Sequence, residues 1–180
     1  IAPFVFSLLL AVQCPTSAVS ESVRTFVEKT GIGLSVTSDG SFEVTTRTPE
    51  WTFSGNVGSP LSDLALQRGR DHAGVYREVE FKFKPSATAM RLGAIRVYDH
   101  RPVVVFKLTF LTAGKTSESF PSISRYPRDL HHLAYTSTFG GFSFDQFGTD
   151  GPWIFFDDKS NAFMLSPASH YMNAALSIGP

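Results

Sequence analysis

Cysteine is almost absent from this chain. Its one thiol, Cys14, lies in a segment, Ile1 to Ser20, that carries no charged side chain. A single thiol cannot close an intrachain disulfide, so the fold must rest on a hydrophobic core. Gln13 does not supply the small residue that a lipoprotein signal needs before its cysteine, which argues against a lipid anchor. Also missing is an apolar run long enough to span a bilayer, because Phe4 to Val12 falls short of the ~20 residues required. That run is followed by the small residues Thr16-Ser17-Ala18, the pattern of a signal segment and its cleavage site. With no initiator Met and no basic start, residues 1–18 read as an N-terminally incomplete signal peptide. The expected location is secreted or periplasmic, with residues 19–180 forming a single domain that has no membrane association after signal removal.

Net charge is absent too: 16 Lys+Arg balance 16 Asp+Glu. This removes the basic footprint of a nucleic-acid or anionic-membrane binder and fits a neutral, sugar-like partner better. The familiar catalytic signatures are likewise missing. There is no G-x-S-x-G, no glycine-rich phosphate cradle and no Ser, His and Asp set that spacing picks out. His131 and His132 are adjacent, and on a strand they point to opposite faces, so they cannot share one ion. Asp145, Asp150, Asp157 and Asp158 lack the alternating spacing of a calcium loop. No metal and no cofactor are expected. Asp63, Asp71, Glu78, Asp99 and Asp157 are the carboxylates from which a glycosidase pair would have to come, and sequence brings no two of them together. No catalytic residue is therefore assigned.

What is present is apolar alternation. Hydrophobic residues make up 42% of the chain, with 17 Phe, and at 19.7 kDa a single core is the default. Ile32, Leu34 and Val36 alternate with small polar residues, as do Phe42 and Val44. A three-residue loop, Ser38-Asp39-Gly40, with Gly40 left-handed pairs Val36 with Phe42 and Leu34 with Val44; a two-residue loop would set the two apolar faces against each other. Val75, Val79, Phe81 and Phe83 alternate with Tyr76, Glu78, Glu80 and Lys82, which reads as a strand with one wet side and Arg77 intruding on the apolar one. Leu92 to Tyr98 and Val103 to Leu111 follow as strands of a meander. Trp153 to Phe156 and Ala162 to Leu165 are apolar on both faces, as strands in the middle of a sheet are, with a turn at Asp157 to Asn161. Glu21 to Lys29 is either a short helix or a first strand. Ser117 to Pro152 reads as a long irregular connection rich in Phe and Gly, plugging a sandwich edge or forming a contact surface. The predicted fold class is all-β: a large, mostly antiparallel β-sandwich with little helix.

Trp51 and Trp153 are candidate sugar platforms, because an exposed indole stacks on the apolar face of a sugar ring; the competing reading is that they anchor the core. The stretch from Gly69 to Glu78, with Arg70, Asp71 and Tyr76, is either a structural turn with an Arg–Asp pair or a loop aimed at a neighbour.

Several segments together resemble the N-terminal β-sandwich of the α-galactosidase and raffinose-synthase group of glycoside hydrolases. They are Trp51-Thr52-Phe53-Ser54-Gly55, Gly69 to Glu78, Ile95 to Asp99 with Arg101-Pro102-Val103, Phe120-Pro121, Gly151 to Asp157, and Leu165 to Ser169. The resemblance implies a supersandwich-like domain preceding a (β/α)8 barrel, and a barrel that supplies both catalytic aspartates of a retaining mechanism. Those aspartates have no counterpart in this sequence, so the chain alone is expected to be inactive. The implied partners are the missing catalytic barrel and an oligosaccharide. The carbohydrate or interface candidates are Trp51, Arg70, Asp71, Tyr76, Trp153 and Asp157. A stand-alone carbohydrate-binding or structural module is the alternative.

Overall fold

Alternating apolar positions commit this chain to strands, and the computed structural model forms them. It describes residues 21–85, 89–111, 120–134, 136–138, 141–143 and 152–168, and among these there is no helix. The strands are β1 (Ser22–Val27), β2 (Ile32–Thr37), β3 (Ser41–Thr46), β4 (Trp51–Asn56), β5 (Leu61–Asp71), β6 (Gly74–Phe83), β7 (Arg91–Tyr98) and β8 (Val104–Phe110). Then come β9 (Ser122–Arg125), β10 (His131–Ala134), β11 (Thr136–Thr138), β12 (Gly141–Ser143), β13 (Trp153–Phe156) and β14 (Ala162–Leu165). All pairings are antiparallel: a five-stranded sheet β1-β2-β3-β4-β9, a four-stranded meander β5-β6-β7-β8, a three-stranded sheet β10-β13-β14 and the ribbon β11-β12.

The five- and four-stranded sheets share one core. Leu34, Val36, Phe42 and Val44 from the first meet Val79, Phe81, Ile95 and Val97 from the second, and all are buried. The Phe42 and Phe106 rings touch edge to face across the interface, with centroids 5.3 Å apart. The β2–β3 loop has the expected three residues, with Val36 opposite Phe42 and Leu34 opposite Val44. Gly40 adopts φ +95°, and a Cβ there would lie 2.4 Å from the Ser59 carbonyl oxygen, so glycine is required. This loop receives the crossover between the sheets: Val57 N–H donates to Gly40 and Leu61 N–H to Ser38. Arg77, the intrusion on the core face, lies where β6 meets β1. It donates to Asp99 (3.1 Å) and to the carbonyl of Phe26 (2.8 Å), which tethers the first strand to the meander.

Four expectations are refined. Glu21 to Lys29 holds a strand, β1, and no helix. Glu78 lies on the outward face as alternation requires, yet it is only 3% exposed, because neighbouring side chains roof it over. β13 is central in its sheet, but β14 is an edge strand whose Met164 is 63% exposed, so an apolar character on both faces did not mean cover on both. The supposed irregular connection contains β9, which extends the five-stranded sheet beside β4, and β10, which pairs with β13. Within it, Phe120 stacks on Phe83 at 5.6 Å against the core. Phe139, Phe144 and Phe147 lie outside the described residues, as do residues 1–20.

Candidate functional site

The Gly69 to Glu78 stretch forms the β5–β6 hairpin, with Asp71 opposite Gly74. Asp71 Oδ1 accepts the N–H groups of Ala73 (2.8 Å) and Gly74 (3.2 Å), a side-chain turn that fixes the hairpin tip. Its other oxygen, Oδ2, reaches across to β7, accepting from Arg96 Nη1 at 2.6 Å and from the Tyr98 hydroxyl at 2.8 Å. Arg96 Nε donates to Glu78 Oε2 at 2.7 Å. The guanidinium lies 3.6 Å from the centroid of the Tyr76 ring, and that ring covers Gly69, where a Cβ would come within 2.5 Å of it. Tyr76 and Tyr98 meet edge to face. Two acids, one arginine and two tyrosines thus form a closed cluster on the outer face of the meander. Asp71 does pair with an arginine, but with Arg96 of β7, outside the Gly69 to Glu78 stretch in which the pair was expected.

The electrostatics of the cluster favour fixed charge over proton transfer. The Tyr98 hydroxyl, the turn N–H groups and Arg96 hold the Asp71 carboxyl below the ordinary carboxylate range, and burial pushes the Tyr98 hydroxyl up. A general acid requires the opposite shift, a carboxyl raised toward neutrality. Asp157 is committed in the same way: its oxygens accept from Lys159 N, Asn161 N and Asn161 Nδ2, and the Asn161 amide foremost lowers its pKa. It closes the β13–β14 turn. Arg70 is exposed near the hairpin tip.

Both tryptophans turn inward. Trp153 is 3% exposed. Trp51 is half-buried and meets Phe163 edge to face at 5.6 Å; Phe163 in turn contacts Phe53 and stacks on Phe155. Phe163 is thus the hub through which the three-stranded sheet packs on β4. Neither indole offers the flat exposed face that a sugar platform needs.

No family model, curated protein or solved structure matches the chain. Function therefore has to be argued from the surfaces themselves. The inward face of the three-stranded sheet is used up by these rings, while its outward face is open. There Leu133, Ile154 and Met164 stand directly opposite one another across β10, β13 and β14, at 48%, 39% and 63% exposure. The next row is His131, Phe156 and Ala162, in which the His131 ring rests on Phe156 and its Nε2 lies 2.9 Å from Asp158 Oδ1. Among the described residues no group of three or more His, Cys, Asp or Glu could hold a metal ion.

Neither Arg96 and Tyr98 as partners of Asp71 nor Glu78 as partner of Arg96 is visible in the order of residues along the chain. The signal was present only in the register of the meander.

Proposed function

We propose that this chain is a non-catalytic β-sandwich of a secreted, α-galactosidase-like glycoside hydrolase, which docks on and scaffolds a catalytic barrel. The observation that carries this reading is the outward row Leu133, Ile154 and Met164. Soluble monomers rarely leave a contiguous apolar sheet face in water, and such faces commonly mark protein contacts. The outer ring of helices of a (β/α)8 barrel is the surface on which this face docks in the proposed arrangement. The acids support the same reading: Asp71 and Asp157 are spent on turns and on Arg96, so their chemistry is structural.

Co-expression with the barrel of an α-galactosidase stripped of its own sandwich tests the reading. The two chains should co-purify, and Ile154→Lys with Met164→Lys should abolish this while leaving the strand content of the chain intact. The isolated chain should not turn over an aryl α-galactoside; measurable turnover would refute its non-catalytic role.

A further inference from the structure

The outer face of the five-stranded sheet takes no part in either the core or the apolar contact face. Straight across it runs the row Arg24, Ser35, Glu43 and Ser54, one residue from each of β1 to β4. Two shallow depressions on this face share Arg24, Ser35 and Glu43, so they form one trough. One limb extends to Thr37, Ser41 and Ser124, and the other to Phe26, Gly33 and Thr45. We propose that this trough binds a neutral, hydroxyl-rich oligosaccharide chain, held between Arg24 and Glu43.

Three features point to that ligand class. Arg24 and Glu43 flank Ser35 from strands on either side of β2, about 10 Å apart at the backbone by the usual strand spacing. Neither makes an ion pair or a side-chain hydrogen bond among the described residues, whereas Arg47, on exposed surface beside the same sheet, pairs with Glu28. A cationic fork on one side and a carboxylate on the other cancel in charge while offering donors and acceptors, which suits a ligand whose groups both donate and accept. A phosphate or a strongly charged peptide would meet one of the two unfavourably.

The second feature is the floor. Gly33, Ser35 and Ser54 share the outward face by register, and their small size keeps its centre low where larger residues would fill it. Hydroxyls of Thr37, Ser41, Thr45 and Ser124 stand along its two limbs. Third, Phe26 stands half-exposed at one end, its ring against Gly33 and braced by the Arg47 guanidinium 4.8 Å from its centroid. It supplies an apolar wall for the C–H face of a sugar ring. This site lies on a different sheet from the docking face, so either can fail without the other.

Affinity electrophoresis of the chain through gels containing galactomannan, xyloglucan, mixed-linkage β-glucan or pectic galactan tests the proposal. At least one polysaccharide should retard the wild type. Arg24→Ala and Glu43→Gln should each weaken that retardation at least tenfold, Ser35→Phe should block it by filling the floor, and Glu80→Gln on the other sheet should leave it unchanged. Strand content by circular dichroism identifies any variant that fails to fold, and the exposed Arg24 and Glu43 sites keep at least two variants informative. Binding should not quench tryptophan, since both indoles lie on the other side of the sheet. Absence of retardation in all four gels, or retardation that Arg24→Ala and Glu43→Gln leave intact, overturns the assignment.

Discussion

The Arg96 guanidinium lies 3.6 Å from the centroid of the Tyr76 ring while donating to Glu78, which is itself buried. One side chain thereby neutralises Glu78, pins the β5–β6 hairpin through Asp71 and roofs the cluster. Arg96→Met should leave Glu78 as a buried carboxylate without its cation. Losses of about 3–5 kcal/mol are typical of such cases. Denaturant unfolding checks this, and the double variant Arg96→Met with Glu78→Leu should recover much of the loss. A single variant as stable as wild type would show that the cluster is ornamental.

The acid limb of stability should follow the aspartates. Asp39, held by the Ser41 N–H, together with Asp71 and Asp157, has a pKa below its ordinary value of 3.8 in the folded state. A lowered folded value stabilises fully above the unfolded pKa and is lost as pH falls through the folded one. Melting temperature should therefore be insensitive to these groups near neutrality and should decline below about pH 4. Asp71→Asn should flatten that decline. An unchanged acid limb in the variant contradicts the assignment. Tyr98, raised by burial, predicts a separate loss of stability as pH climbs past 10.0.

The hairpin loop gives a backbone test. Gly40→Ala must accommodate φ +95° and a Cβ against the Ser59 carbonyl, for a cost of about 2 kcal/mol or more. Thermal melts resolve an effect of this size. Gly58, also at positive φ but with open space around it, should suffer less on the same substitution.

Inward tryptophans predict blue-shifted emission that iodide quenches poorly, most strongly for Trp153. Trp153→Ala should cost about 3–5 kcal/mol by opening a cavity beneath the three-stranded sheet. Emission like that of free indole would mean that the three-stranded sheet does not pack on β4 as described.

Much of the sandwich could be read from residues alone, because period-two alternation fixes faces and a positive-φ glycine fixes a register. The β2–β3 pairing follows from Val36, Gly40 and Phe42 with no further information. The cluster could not be read this way. Arg96 stands 18 residues from Glu78 and 25 from Asp71, and they meet only once β6 and β7 are aligned, which alternation does not determine. Glu78 was placed on the correct face, yet its burial depends on Tyr76 and Arg96 folding over it. The β14 edge shows the converse. Met164 looks like the residue of a covered strand, and its exposure emerges only when the neighbours of β14 are known to number one.

The row Leu133, Ile154 and Met164 is the proposed docking face for a catalytic barrel. Its most direct test is co-purification of the chain with an α-galactosidase barrel that lacks its own sandwich, comparing the wild type with the Ile154→Lys and Met164→Lys double variant. Stoichiometric recovery with the wild type and none with the variant is the predicted result; equal recovery with both, or none with the wild type, contradicts the account.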